Sequence, residues 1–258
     1  MKYIAVMLSN FYSELSYKLN FITGILNQAI SLFLSLFVWL AIFKSTGEQE
    51  IAGFTRPDII LYIVLTNLSM MFFSTSEVVR MGSLVRTGKL TNMLLKPYSI
   101  LGYNLSAYIG QRLIYVIPYM GVLLVFLFKN SNIYYNLAII LFGSINFLMF
   151  FLFMQCISNL GFYVVQMWPF SSLMNSIYFL FSGVYFPLNI LPSGVYQWMK
   201  YNPFSMVGYH FTLAVQEKLD FSSVKELMLV SFLWLLLFYV LYRFTFKRGL
   251  KRYEGMGA

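Results

Sequence analysis

From Asn130 to Met199 the chain runs for 70 residues without a single Asp, Glu, Lys or Arg. A soluble fold of any class must cover itself with polar side chains, and a stretch this long without charge has none to spare. Its solvent is therefore largely lipid. In lipid no water satisfies an exposed backbone group, so the segment reads as helices of about 20 residues each. The run is too long for one helix. It fits two, about Tyr135 to Leu160 and Trp168 to Phe186, with a turn near Gly161 to Pro169.

The rest of the chain agrees, with 59% hydrophobic and 10% charged residues and a mean hydropathy of +0.71. Phe21 to Phe43, 23 residues without charge, is the clearest span. Ile59 to Ser76 is the second, preceded by Thr55 and Asp58 as capping residues and by Pro57 in an early position where its missing N–H costs nothing. Leu101 to Phe128 is a third, interrupted by Arg112 and Pro118. Val224 to Phe246 is the sixth, with Ser223 and Glu226 at capping-box spacing. The expected fold is an all-α membrane protein with six transmembrane helices.

Lysine and arginine are retained on the cytoplasmic side of short loops. With the N-terminus inside, Lys2, Lys18, Arg80, Arg86, Lys89, Lys96, Arg112, Arg243, Lys247, Arg248, Lys251 and Arg252 lie on or near that side. Lys44, Arg56, Lys129, Lys200, Lys218 and Lys225 lie outside, together with Glu48, Glu50, Asp58, Glu217, Asp220 and Glu226. Both termini are expected in the cytoplasm. The beginning of the chain carries no small-residue cleavage site after its first apolar run, which argues against a removable signal peptide.

Three segments do not cross. In Met1 to Asn20 the residues Ile4, Leu8, Phe11, Leu15 and Leu19 recur at helical spacing, as in an amphipathic helix lying along the membrane surface. Glu77 to Pro97 is polar and basic and suits a short cytoplasmic helix pair that ends at Pro97. Gly183 to Phe221 contains Pro187, Pro192 and Pro203 and cannot be one helix. It reads as a broken, re-entrant or interfacial element on the outer face, anchored by Trp198 and Tyr201.

The chemistry that is missing narrows the function. The net charge of +9 is distributed beside apolar runs and forms no nucleic-acid surface. One cysteine and one histidine exclude an intrachain disulfide and a multi-residue Cys/His metal site. Cys156 reads as a small buried hydrophobe, and His210 as an interfacial or packing residue. No phosphate-binding glycine loop occurs, since Gly88-Lys89-Leu90 lacks both the upstream glycine and the hydroxyl. No carboxylate lies in the middle of an expected span, where a proton- or sodium-driven carrier commonly keeps one. Arg112 is the one charge well inside a span; it either snorkels to the headgroups, forms a structural pair, or meets an anionic substrate headgroup. A transporter of this kind must draw its energy from a partner.

The stretch Val85-Arg86-Thr87-Gly88-Lys89-Leu90-Thr91-Asn92-Met93-Leu94-Leu95-Lys96-Pro97 is similar to a basic-Ser/Thr-Gly-x-Leu…Leu-Leu-basic-Pro segment of the permease subunits of bacterial type-2 ATP-binding-cassette exporters. Phe181-Ser182-Gly183-Val184-Tyr185-Phe186-Pro187-Leu188, with Leu191-Pro192 and Tyr201-Asn202-Pro203-Phe204, resembles the broken hairpin those permeases carry after span five. The tail Gly249-Leu250-Lys251-Arg252-Tyr253-Glu254 and the amphipathic leader resemble the family as well. The resemblance implies a single permease domain: an interfacial helix over 1–20, helices one and two over 21–76, a cytoplasmic coupling loop over 77–100, helices three to five over 101–186, an outer broken hairpin over 187–222, helix six over 223–246 and a basic tail over 247–258.

It further implies two permease chains, identical or homologous, above two separate cytoplasmic ATPase chains that bind ATP and Mg, with no cofactor or metal in this chain. Arg86, Thr87, Gly88, Lys89, Leu90 and Leu94 would form the element that couples to the ATPase, or else these basic residues merely fix topology. Asn67 on span two, with Ser171, Asn175 and Tyr178 on span five, would face a substrate path, or else serve as helix-packing residues. Gly183, Pro187, Pro192, Asn202 and Pro203 would shape the outer hairpin. The expected function is export of an amphiphilic or hydrophobic substrate, whether peptide, drug or lipid. A non-transporting membrane scaffold or sensor is the alternative, and an intramembrane enzyme acting on lipid lacks a convergent acid/base constellation.

Overall fold

A computed structural model describes residues 2–129 and 132–253. Among these, four helical segments are long and apolar enough to cross a membrane: Phe21–Thr46, Arg56–Arg86, Ile133–Phe162 and Phe221–Arg252. The chain is a predominantly helical, multi-pass membrane protein with no sheet core.

Helix α1 (Lys2–Ser16) breaks only at Tyr17 before α2 (Lys18–Thr46). The 29 residues of α2 span about 44 Å, ample for a hydrocarbon layer of about 30 Å. A two-residue hairpin, β1 (Glu50–Ile51) against β2 (Phe54–Thr55), then leads into α3 (Arg56–Phe72). The start of α3 is capped as expected: the Thr55 amide and hydroxyl donate to Asp58 Oδ2 at 3.1 and 2.9 Å. Its end differs from expectation. Regular helix stops at Phe72, and Ser74 opens a 3₁₀ turn over Thr75–Val79. The Ser74 amide leaves the helical ladder to donate to the Tyr108 hydroxyl at 3.0 Å.

Two short helices follow, α4 (Arg80–Arg86) and α5 (Lys89–Leu94), then α6 (Ile100–Lys129), whose backbone stays helical past both Arg112 and Pro118. The side chain of Pro118 lies outside the described residues. Among the described residues Arg112 forms no ion pair with a carboxylate. Its guanidinium donates to the Met71 carbonyl at 3.3 Å and to Ser76 Oγ at 2.8 Å, between the rings of Tyr108 and Tyr115.

Helix α7 (Ile133–Ser158) ends in a 3₁₀ turn over Asn159–Phe162, and α8 (Trp168–Phe181) begins near the expected place but stops five residues early. Short pieces follow: a 3₁₀ turn over Leu188–Ile190, α9 (Ser193–Met199), α10 (Pro203–Ser205), a π-helical turn over Met206–His210 and α11 (Phe211–Val215). The closing helix, α12 (Phe221–Arg252), starts before the expected Ser223–Glu226 box, with Asp220 at its N-cap, and the expected basic tail from Lys247 to Arg252 is its last turn and a half. Glu254 and the residues after it lie outside the described residues, as do Met1 and Asn130.

The main core lies between α3, α7 and α12 and is dense in rings, with Phe73, Tyr108, Phe142, Phe150 and Tyr178 all nearly inaccessible. Helices α7 and α12 run parallel, joined by the stacked rings of Phe153 and Phe238 at 4.6 Å and by the Cys156 thiol donating to the Phe238 carbonyl at 3.2 Å. Cys156 is thus structural. Helix α1 packs along the first half of α6 through Tyr3, Met7 and Asn10, leaving Ile4, Leu8 and Leu15 exposed. The result is a molecule with a basic end, carrying α4, α5 and the last turns of α12, and a far end carrying the β1–β2 hairpin and the broken segment after α8.

Candidate functional site

The segment from Glu77 to Pro97 folds into a compact cap on the basic end. Its turn is set by Gly88, which at φ +67° takes the left-handed conformation that a side chain resists. Helices α4 and α5 meet there, and the turn lifts Arg86, Thr87 and Lys89 into solvent. The Thr87 hydroxyl closes the last turn of α4 by donating to the Ser83 carbonyl at 2.7 Å. Leu90 points the other way and is fully buried with Met81, Ile100 and Phe162. It holds the cap down, while Leu94, one helical turn later, is 44% exposed beside Leu95 at 81%. Of the six residues expected to couple, Arg86, Thr87, Lys89 and Leu94 are exposed, Gly88 shapes the turn and Leu90 anchors it.

Three further ties fix the cap to the long helices. Gly82 and Gly161 bring α4 against the end of α7 so closely that a Cβ on Gly161 would strike the Gly82 backbone. The Thr91 and Tyr253 hydroxyls share a hydrogen bond of 3.0 Å, joining α5 to the end of α12. The third tie was not legible in the sequence. Glu77, only 1% exposed, accepts from Arg80 Nε at 2.6 Å and Nη2 at 2.5 Å, and from Gln155 Nε2 of α7 at 2.8 Å. Gln155 in turn accepts from Asn104 of α6 at 3.0 Å, and Arg80 reaches Gln111 at 3.3 Å. A buried carboxylate survives this way only with its charge and lone pairs matched.

The four residues expected along a substrate path are not gathered in one place. Asn67 is buried between α3 and α2, accepting from Gln28 Nε2 at 2.9 Å and donating to the Ile63 carbonyl at 2.8 Å. It joins two helices. On α8, Tyr178 turns into the core against Phe150 and Phe204, Ser171 is half-buried, and Asn175 is exposed among Ser172, Leu173 and Ser176. Only the Asn175 face of α8 is free to meet another molecule.

At the far end, Gly183 turns the chain at φ +81°, where its carbonyl accepts from the Tyr62 hydroxyl of α3 at 2.7 Å. Pro187 and Pro192 precede the 3₁₀ turn and α9, and Pro203 occupies the first position of α10. Asn202 caps α10, its Oδ1 accepting from the amides of Phe204 and Ser205 at 2.8 and 2.9 Å. His210 Nε2 donates to the Lys200 carbonyl at 2.7 Å, and burial pushes the imidazole down to about 4. It is a neutral packing residue in the floor of this segment. Among the described residues no cluster of His, Cys, Asp or Glu could hold a metal ion.

No individual characterised protein matched the sequence. A family model described as ABC-2 family transporter protein matches residues 29–257, which include the α4–α5 cap, the broken segment after α8 and the whole of α12. The chain therefore belongs to the ABC-2 family of transporter proteins, as a type-2 permease subunit that works in the membrane with ABC ATPase chains.

Proposed function

We propose that this chain is the membrane-spanning half of an ATP-driven exporter, in which separate ATPase chains bind ATP and Mg and dock on the α4–α5 cap. One observation carries the reading: Arg86, Thr87 and Lys89 stand exposed on a turn whose underside is locked to α6, α7 and α12 by Leu90, Gly82 and Glu77. A mobile basic loop would serve topology equally well. A rigidly backed one transmits force, and its two cations suit an acidic groove.

Six crossings, both termini in the cytoplasm and the basic end inward follow if α6 and the shorter α8 also span. The parallel run of α7 and α12, with α8 and the broken segment between them in sequence, supports that count. The broken segment then re-enters from the outer face. The exposed Ser172, Asn175 and Ser176 support a permease-to-permease interface or substrate path along α8, because an amide facing lipid tails is costly. The apolar surroundings of that face favour an amphiphilic or hydrophobic cargo, whether peptide, drug or lipid. The chain itself hydrolyses nothing.

The test is co-expression with its ATPase chain. The double variant Arg86→Glu and Lys89→Glu should insert and purify normally yet lose the ATPase chain on affinity purification, together with ATP-dependent transport. Undiminished copurification and transport would refute the assignment of the cap.

A further inference from the structure

We infer that the groove between the α5–α6 junction and the last turns of α12 is a binding site for an anionic phospholipid. The groove has a volume of about 500 Å³ and two unlike walls. One is apolar, with Leu101 of α6 and Phe246 of α12. The other carries the exposed cations Arg243 and Lys247, one helical turn apart on α12, with Tyr98 and Tyr239 at its rim. No carboxylate lines it among the described residues. The ion pairs of the described residues use Arg80 and Lys218, leaving Arg243 and Lys247 without an acidic partner.

The charge pattern selects the occupant. Two unpaired cations beside aromatic hydroxyls match a phosphodiester, and the apolar wall continues along α12 through the exposed Leu236 and Val240, where an acyl chain would lie. Basic pockets between membrane helices at the inner leaflet recognise anionic headgroups in this way. Because Met93 and Leu94 of the cap also line the groove, a lipid seated there bridges the cap to α12. The inference rests on the proposed orientation, with this end of α12 at the inner leaflet. Labelling a cysteine introduced at Lys251 from either side of the membrane reads that orientation separately.

The experiment is native mass spectrometry of the detergent-solubilised full chain, titrated in turn with phosphatidylglycerol, phosphatidylcholine and glycerol phosphate. Each basic residue near a headgroup contributes about fivefold in affinity, so the pair should favour phosphatidylglycerol over phosphatidylcholine by about thirtyfold. Arg243→Gln with Lys247→Gln should erase that preference. Arg248→Gln with Arg252→Gln, whose cations lie over Phe244 and Tyr163, should keep it. Leu101→Trp, filling the apolar wall, should lower retention of both lipids. Equal retention of the two lipids by the unaltered chain would overturn the proposal, and so would equal loss in the two paired variants. Saturation by glycerol phosphate alone would show a phosphate site with no role for the acyl chain and overturn it too.

Discussion

Replacing Glu77 by alanine tests whether the cap is locked to the helices through charge. The carboxylate is 1% exposed and accepts three bonds, at 2.6 and 2.5 Å from Arg80 and 2.8 Å from Gln155. Alanine leaves the Arg80 guanidinium with its 3.3 Å contact to Gln111 and strands the Gln155 amide. Breaking one side of a buried pair costs about 3–5 kcal/mol. Because the Arg80 side chain retains 18% exposure, water reaches it, and the lower end, about 3 kcal/mol, applies. For a chain of this size that lowers the apparent Tm by about 6–12 °C. Arg80→Met should cost more, since it strands the more deeply buried partner. The paired variant Glu77→Ala with Arg80→Met removes both charges and should return to within about 2 kcal/mol of the parent, giving a coupling energy of more than about 4 kcal/mol. Fluorescence-detected gel filtration after heating the solubilised protein supplies all four values. A loss below about 3 °C in Glu77→Ala, or single losses that simply add in the pair, would refute the lock.

Leu90→Ala should destabilise by about 3 kcal/mol through a cavity beneath the cap, whereas Leu94→Ala should change Tm little and weaken ATPase binding, read as dissociation in a pull-down. Gly161→Leu drives a side chain into the Gly82 backbone and should unseat α4, giving an expressed permease in which a thiol placed at the buried Met81 becomes reactive; protection of that thiol would contradict the close approach. His210 is pushed down to about 4 from 6.5, so an unfolded chain takes up its proton before the folded one does. Its share of stability is therefore constant above about pH 6.5, falls by about 3 kcal/mol as pH drops to about 4, and is level below that. His210→Gln should flatten this part of the pH–stability curve, as seen in the difference between variant and parent melts.

What the sequence made legible were features carried by a contiguous run. The 23 uncharged residues from Phe21 predict α2, the Thr55–Asp58 pair predicts the start of α3, and the prolines after Phe186 predict a broken chain. Features set by distant partners were not legible. Nothing in Phe72-Phe73-Ser74 signals a helix end, because the break is made by Tyr108, 34 residues away. Glu77 sits among polar and basic neighbours and reads as solvated; its burial is decided by Gln155, 78 residues on. Helical spacing pairs Leu90 with Leu94 but cannot say which one the underlying Phe162 covers. The tight hairpin at Ala52-Gly53, with φ of +51° and +82°, lacks the Asn-Gly signal such turns usually carry.

The pattern of ties says where a push on the cap must be felt. Force applied at Arg86 cannot be absorbed within α4 and α5, since Leu90 fixes their underside and the Gly82–Gly161 contact leaves no gap to close. It passes to the ends of α7 and α12, and these two helices share rings and a thiol hydrogen bond along their parallel run, so they respond as one body. Helix α2 stands outside that body. In its membrane-spanning stretch only 6% of residues are buried, and its polar attachments include Gln28 to Asn67 and Trp39 Nε1 to the Tyr185 carbonyl at 3.0 Å. Between the two bodies lies the break at Phe73-Ser74, where the helical ladder is already interrupted and a change of angle costs no further backbone bond. We expect relative motion to centre on that break, with α2 and α3 on one side, the cap, α7 and α12 on the other, and α6 spanning it where Arg112 holds the Met71 carbonyl and Ser76 Oγ. A disulfide joining α3 to α6, which pack against each other, should stop transport while leaving ATPase binding intact, whereas one joining α7 to α12 should affect neither.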